Sequence, residues 1–348
     1  MKMKNNVFIL VLAGLVFSAC TDKSFSGADS TYDIGASANI PVRVAVGNAL
    51  VKGAGDVGGI DDLYGKDFYV YAFRKSRKVR YDVTAAADRA YCLLDASVDG
   101  ESGQWAGGKR ARFAVGPYAS WPGKSVNWPN GENHKDAYDF FAYFIDDAEL
   151  TGIARSDEKI DIRVTIDGSQ DIMTSKAHVQ NTGFNGQDLQ AVSAWSFSQF
   201  TAFRNIVPTF TFNHGLTRLC LAAGTGGDVA IEELSVLSKK KAVLTLVHKD
   251  ETQTGISFTD GNIWTMNGDA AYKYALKAYA DAQDGRHHVL VAPADKYRVF
   301  VRVNENGVSK VLSAEFTNSG KSFEAGRSYN VSVTVKRNDA GVLYVETK

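Results

Sequence analysis

The chain has 348 residues, and its 39 lysines and arginines balance its 39 aspartates and glutamates. A formal net charge of zero excludes the strongly basic class of nucleic-acid-binding proteins and predicts no electrostatic attraction to an acidic membrane. An apolar fraction of 45% is sufficient for packed cores, and three cysteines are too few for a disulfide scaffold.

The chain begins with two lysines and an uncharged apolar run at 7–17. A helix that spans a bilayer needs about 20 apolar residues, so this run is too short to span one. A basic start, a short apolar stretch and small residues before a cleavage point are typical of an export signal. We therefore expect a signal peptide at 1–19 that is removed on export.

Cys20 directly follows the small pair Ser-Ala at the end of this signal. The arrangement is similar to a bacterial lipoprotein signal, in which the chain is cut before the cysteine and the thiol is acylated. We expect a lipid on Cys20 and a flexible tether at 20–37, a segment rich in serine, glycine and alanine. An ordinary secretory signal with a chance cysteine is the alternative.

The rest of the chain is dominated by two-residue alternation of apolar and polar side chains, which is typical of half-buried antiparallel strands. The pattern is clearest in "KYRVFVRV" (296–303) and "SYNVSVTV" (328–335) and recurs at 67–73, 110–116, 159–166 and 242–248. In "VRVNENGVSKVL", the pair Asn306-Gly307 predicts a tight hairpin, because both residues tolerate positive φ angles. Short helices are expected at 85–89 and within 187–204.

The expected class is therefore mostly β, with two β-sandwich domains of antiparallel sheets. A mature chain of residues 20–348 is long enough for two domains at about 150 residues each. The segment 181–205 breaks the alternation, so we place the N-terminal domain at 38–205 and the C-terminal domain at 206–348. Cys92 and Cys220 lie in apolar stretches and are expected to be buried free thiols in different domains.

Few residues of the chain are candidates for chemistry. His287 and His288 are adjacent, but no third ligand follows at a spacing typical of metal sites, so we interpret them as the entrance to a strand. The Gly-Gly-Lys at 107–109 lacks the rest of a phosphate-binding loop. His214 is expected at a turn or strand edge. We expect no catalytic residue, no metal site and no cofactor, and a protein that is not an enzyme.

Three aspartates are candidate calcium ligands: Asp146, Asp147 and Asp161. They lack the regular acidic spacing of a calcium loop, so we interpret them as solvated acids.

Aromatic residues are concentrated at 121–144, which includes Trp121, Trp128 and the run "YDFFAYF" at 138–144. One interpretation is a surface on which sugars stack. The other is core, because a strand in the centre of a sandwich buries both of its faces. The residues favour core.

Several segments, in this order, resemble the fimbrillin family of Bacteroidetes. They are "VNWP" (126–129), "YDFFAYF" (138–144), "DIMTSKA" (171–177), "FTFNHGLTRL" (210–219) and "FEAGRSYNVSVTV" (323–335). With Cys20, the resemblance spans nearly the whole chain.

The resemblance implies a lipoprotein precursor of a cell-surface fimbria, serving as a stalk subunit or as an accessory anchor or tip protein at the outer membrane. It also implies two β-sandwich domains, the second transthyretin-like. Polymerisation would occur by strand exchange: an extracellular protease, typically arginine-specific, removes the first strand, and the groove accepts a strand from another fimbrial subunit. The alternative function is a surface lipoprotein that binds glycan or host protein, which would require exposed tryptophans (Trp121, Trp128 and Trp195).

In this chain the first strand is expected at 38–50, followed by a glycine-rich loop at 51–65. That loop contains Lys52 but no arginine, and Arg43 lies inside the expected strand. Three alternatives follow: cleavage at Arg43, cleavage near Lys52, or no cleavage. The last suits an anchor that keeps its lipid.

Overall fold

A computed structural model describes ten segments of the chain. These are residues 39–47, 60–75, 92–96, 107–131, 136–156, 158–179, 197–203, 205–226, 229–259 and 274–348. Strands make up most of them, and their pairing is mainly antiparallel, so the predicted mostly β class is confirmed.

The strands, in chain order, have the following bounds. The first eleven are β1 (Ala45–Val46), β2 (Asp67–Arg74), β3 (Cys92–Leu94), β4 (Lys109–Arg112), β5 (Tyr138–Phe144), β6 (Glu149–Arg155), β7 (Lys159–Thr165), β8 (Met173–Lys176), β9 (His178–Val179), β10 (Pro208–Phe210) and β11 (Asn213–His214). The remainder are β12 (Thr217–Thr225), β13 (Ala230–Leu237), β14 (Lys241–His248), β15 (Gly255–Phe258), β16 (Leu276–Lys277), β17 (Tyr279–Ala280), β18 (His287–Val291), β19 (Lys296–Glu305), β20 (Val308–Thr317), β21 (Ser328–Arg337) and β22 (Leu343–Thr347). One short helix, α1, covers Gln199–Ala202, and 3₁₀ turns cover Ile60–Leu63 and Glu251–Gln253.

A six-stranded sheet is built mostly from the first part of the chain, in the order β11-β8-β5-β2-β3 with β4 also paired to β2; its edge strand β11 lies after residue 205. All seven residues of β5 are buried. Phe141 and Tyr143 enter one hydrophobic core, while Phe140 and Phe144 enter another on the opposite face. The core interpretation of the aromatic run is therefore right, because this sheet lies between two cores.

Two sheets of the later part of the chain pack their buried faces together. Their orders are β17-β18-β12-β21-β22 and β16-β13-β19-β20. The alternation predicted for β19 is confirmed, since Tyr297, Val299 and Val301 are all buried. The predicted hairpin is confirmed as well: Asn306 and Gly307 have φ angles of 52° and 84° and connect β19 to β20.

The two remaining sheets combine strands from before and after residue 205. β10 pairs with β1 on one side and with β9 on the other, and β14 pairs with β7 in the four-stranded sheet β15-β14-β7-β6. The domain limits at 38–205 and 206–348 stay a prediction, and these pairings join the two sides. Within the described segments, no helix is long and apolar enough to cross a membrane.

Ion pairs on the outer face of the later sheets predict acid sensitivity. Lysine or arginine side chains that hydrogen-bond to Glu305, Glu315 and Glu346 lower the pKa of each carboxyl. Because these pKa values are lower in the folded chain than in the unfolded one, the stabilisation is present above about pH 4.3 and is lost as pH falls through the lowered values. We expect the melting temperature to fall below about pH 4. Circular dichroism melts between pH 3 and 7 check this, and Glu305→Gln should flatten the dependence. An unchanged profile in Glu305→Gln would contradict it.

Candidate functional site

The first described segment, residues 39–47, lies between two neighbouring stretches of backbone. On one side it meets 119–128: Val42 N–H donates to Val126 O (2.7 Å), and Trp128 N–H donates to Ile40 O (2.9 Å). Ala119 N–H donates to Val44 O at 2.9 Å. The segment therefore occupies a strand position beside residues that include the first three of the "VNWP" segment (126–129).

On its other side the segment pairs with β10. Ala45 and Val46 align in parallel with Thr209 and Phe210, and Gly47 N–H donates to Phe210 O at 2.8 Å. Backbone groups of residues 40–47 thus bond to one neighbour or the other along the segment. The groove between 119–128 and β10 holds it through main-chain hydrogen bonds, which do not depend on side-chain identity.

The side chains of the segment fill an apolar slot. Val42 and Val44 are 1% and 0% exposed and belong to the same buried cluster as Phe68, Trp128 and Phe210. Full burial of one valine side chain stabilises by about 1.5–3 kcal/mol. The segment therefore contributes several kcal/mol to the core of the first part of the chain.

Arg43 is the exposed residue between these two buried valines, and its guanidinium lies 5.3 Å from the centroid of the Tyr118 ring. A cut after Arg43 would divide the segment. Val42 and the residues before it would be freed, whereas Val44 and β1 would keep their contacts with Ala119 and β10. The groove would be only half vacated.

Of the other predicted site residues, Cys20 and Lys52 lie outside the described residues. A cut near Lys52 would fall after Gly47, and therefore after every described contact of the first segment. The helix expected at 85–89 also lies outside the described residues. Within the expected 187–204 region, the structure shows α1, which begins with a capping box made by Ser198 and Thr201.

His288 is surrounded by acids that the sequence pattern did not indicate. Its Nε2 lies 2.9 Å from Asp284 Oδ2 and 3.6 Å from Asp281 Oδ2, across the loop between β17 and β18. Arg218 Nε–H donates to Nδ1 of His288 at 3.2 Å, so the neutral ring carries its proton on Nε2. A metal bound at Nε2 would require the ring proton to move to Nδ1. Nδ1 would then face the N–H donors of Arg218, and arginine has no acceptor for that proton. The cluster is therefore suited to a hydrogen-bonded turn rather than to a metal site. In the sequence, the signal for this cluster is the position of Asp284 and Asp281, four and seven residues before His288.

The interpretation of three aspartates as solvated is wrong for Asp161. This residue is 3% exposed, and its carboxylate accepts a hydrogen bond from Thr245 Oγ1 (2.9 Å) while pairing with Lys159 Nζ (2.6 Å). It lies on β7, where Lys159 of the same strand compensates the charge and Thr245 of the neighbouring strand β14 supplies a hydrogen bond. Asp146 pairs with Lys66 at 2.5 Å.

Cys92 and Cys220 are both buried and free, as expected. Burial raises the pKa of the Cys92 thiol well above its usual value, which keeps it protonated and unreactive. We expect iodoacetamide at pH 8 to modify neither cysteine in the folded chain and both after unfolding in urea. Peptide mass spectrometry reads the two sites separately, and rapid modification of Cys92 in the native protein would contradict the burial described.

No protein-family model matches the chain, and no curated protein matches it. Solved structures do show likeness. One, named "putative cell adhesion protein" from Bacteroides uniformis, is 13% identical, with 89% of this chain and 97% of that chain covered and a TM-score of 0.45. A fimbrial assembly protein from Parabacteroides distasonis is 10% identical, with 89% and 98% covered and a TM-score of 0.32.

A fimbrial protein from Bacteroides ovatus is 11% identical, with 88% of this chain and 53% of that chain covered and a TM-score of 0.33. The chain thus spans about half the length of that protein. These names are of the class that the resemblance to fimbrillins indicates.

Proposed function

We propose that the chain is a structural subunit or accessory protein of a cell-surface fimbria that assembles with other fimbrial subunits by strand exchange. The observation that carries the proposal is the first segment, 39–47, which hydrogen-bonds to 119–128 on one side and to β10 on the other. It buries Val42 and Val44 in the core between them. A segment at the chain's N-terminal end is thus held by the same contacts that an exchanged strand would make.

Release of this segment would leave backbone groups without hydrogen-bond partners and would expose apolar side chains at the same time. The strand β10 and residues 119–128 would lose backbone partners, and the slot around Phe68 would be open to water. A strand from a neighbouring subunit supplies main-chain hydrogen bonds and apolar side chains at once. Head-to-tail contacts of this kind build open filaments rather than closed rings.

The position of the cut decides whether the exchange is complete. Cleavage after Arg43 leaves Val44 and β1 in the groove, whereas cleavage near Lys52 frees every described contact of the segment. We therefore favour Lys52 over Arg43 as the productive maturation site. Retention of the segment is the remaining alternative and gives an accessory protein that terminates or anchors the filament.

The location that we propose is the outer membrane and cell surface. The signal at 1–19 would direct export, acylation of Cys20 would attach the chain to the membrane, and the tether at 20–37 would keep the folded part free of it. A maturation cut would then separate the lipid from the polymerising part.

Limited proteolysis tests the proposal. The chain without residues 1–37 is treated with trypsin under native conditions, the new N-termini are identified by mass spectrometry, and unboiled samples are run on denaturing gels. We expect a ladder of oligomers once the segment 39–47 is released, and no ladder before. An excess of a synthetic peptide with the sequence of residues 38–50 should shorten the ladder by occupying the groove.

Two variants separate the maturation sites. Lys52→Ala should delay the ladder, while Arg43→Ala should leave its rate unchanged. Release of 39–47 without oligomers at any protein concentration would overturn strand exchange.

Binding through tryptophan stacking is not favoured as an alternative function. Trp128 is 2% exposed, and the indole N–H of the half-buried Trp121 donates to Val42 O at 3.0 Å. Trp121 therefore holds the first segment in its groove, and Trp128 belongs to the core against which that segment packs. Trp195 lies outside the described residues.

A further inference from the structure

A polar cavity of about 270 Å³ lies away from the strand groove. It is bounded by the 3₁₀ turn Ile60–Leu63 and the loop after it, the loops before β6 and β8, the edge strand β11, and the strands β12, β17 and β18. Pockets for drug-sized ligands begin at about 300 Å³, so this cavity has room for one smaller molecule. Its polar and charged lining residues are Asp62, Lys66, Asp146, Ser169, Asp171, His214, Arg218, Tyr279 and His288.

The charges of this lining are largely paired within the wall. His214 Nδ1 lies 2.5 Å from Asp171 Oδ2, and Lys66 Nζ lies 2.5 Å from Asp146 Oδ1. Arg218 donates to His288. A free phosphate would face the carboxylates of this wall, and a metal ion would face its lysine and arginine. The balance therefore favours a neutral ligand that both donates and accepts hydrogen bonds.

Asp171 holds an unused acceptor. The residue is 8% exposed, its Oδ2 faces His214, and its Oδ1 is buried and accepts no hydrogen bond within the described part of the chain. A buried acceptor without a donor costs about 1–3 kcal/mol, so such groups call for an explanation. Because Oδ1 is covered even in the empty cavity, a ligand hydroxyl recovers this cost by displacing the covering atoms and donating to Oδ1.

The cavity also has an apolar side. Tyr279 is 38% exposed and lines the cavity beside Val289 and Leu290. The hydroxyl of Tyr279 hydrogen-bonds to Asp167, which restrains the ring. Lys277 Nζ lies over this ring, 6.0 Å from its centroid, so a ligand shares the ring with that ammonium or displaces it. A tyrosine with a restrained ring offers apolar contact area at small entropic cost.

We propose that this cavity binds a single neutral sugar residue, such as the terminal residue of a glycan. A pyranose has hydroxyls that donate to carboxylates and accept from lysine, arginine and histidine, and it has an apolar face that can lie on Tyr279. The roles follow from the contacts: Asp171 accepts from a hydroxyl, Lys66 and Arg218 donate, and Tyr279 carries the apolar face. The site does not involve the strand groove, so it goes beyond strand exchange and does not depend on it.

Isothermal titration calorimetry with the full chain in detergent tests the proposal. The probes are galactose, mannose, glucose, fucose, N-acetylglucosamine and N-acetylgalactosamine, with sodium phosphate and calcium chloride as charged comparisons. We expect saturable binding of at least one sugar, with a Kd on the order of millimolar for so small a ligand. Stronger binding of phosphate or calcium than of any sugar would overturn the neutral-ligand assignment, and so would the absence of saturable sugar binding.

Matched variants locate the binding. Tyr279→Ala should weaken it about tenfold or more, while Tyr118→Ala, which removes a tyrosine of similar exposure (37%) outside this cavity, should leave it unchanged. Asp171→Asn should also weaken it about tenfold, because it removes a charged acceptor. Near-ultraviolet circular dichroism checks that each variant is folded, and Tyr279→Ala decides the matter if Asp171→Asn is unstable. Binding undiminished in Tyr279→Ala would overturn the proposal.

Discussion

Val44→Asp is expected to expel the first segment from its groove and to destabilise the chain by about 3 kcal/mol or more. Val44 is fully buried, and its neighbours in the core are aromatic and aliphatic. An aspartate there would place a carboxylate among apolar groups, and such a charge either remains unpaired or becomes protonated, at a cost in both cases. The backbone bonds to Ala119 and β10 would be lost with the segment.

The matched control for this change is Arg43→Asp. It introduces the same side chain one residue earlier, at an exposed position, and among the described residues it loses the contact with the Tyr118 ring. We expect a loss of under about 1 kcal/mol. Urea unfolding gives both free energies of unfolding, and hydrogen exchange at 119–128 and 208–210 reports whether the groove has lost its strand. Equal effects of the two variants would show that the segment contributes little to the core.

Under strand exchange, the same variant has a second expected effect. A subunit in which Val44→Asp has emptied the groove should accept the peptide of residues 38–50 without prior proteolysis, because the slot around Phe68 is already vacant. The wild-type chain should accept it only after cleavage. The comparison separates the stability of the first segment from the ability of the groove to bind a replacement.

Local pattern predicted the strands better than their partners. The alternation in 296–303 follows directly from one face being buried, and Asn306-Gly307 identifies its own turn. The pairing of β14 with β7, and of β1 in parallel with β10, depends on which edges are free once the sheets have formed. No residue within these strands encodes that choice, so local pattern could not predict these pairings.

The candidate site shows the same division. A first strand at 38–50 was predictable from its alternation and its place in the chain, and 39–47 does pair with neighbours. The sugar cavity was not, because His214, Arg218 and Tyr279 come from strands that tertiary packing brings beside Asp146 and Asp171. None of these residues belongs to a local motif that indicates a binding site.

Among the described glycines, Gly168 combines a positive φ angle with close contacts to backbone and side chains. Its φ angle is 105°, which L-residues rarely adopt. A Cβ at this position would lie 2.9 Å from Val289 Cγ2, 3.0 Å from Lys277 O and 3.2 Å from Leu276 Cβ. Its own carbonyl accepts from Leu290 N–H at 2.8 Å, so the backbone cannot shift away without losing that bond. The pair Asp167-Gly168 predicts a turn from sequence, but the close packing against β16 and β18 is the reason that a glycine is required.

Gly168→Ala is therefore expected to lower the free energy of unfolding by about 2–5 kcal/mol, from backbone strain of about 1–2 and overpacking of about 1–3. Gly65→Ala is the matched control, since Gly65 also has a positive φ angle, 87°, but a Cβ added there would have no atom within 4 Å. It should lose about 1–2 kcal/mol, from backbone strain alone. Urea unfolding of both variants measures the difference. Equal losses would mean that β16 and β18 can move to accommodate the added methyl group without a cost in stability. The part of these strands that lines the proposed sugar cavity would then deform easily.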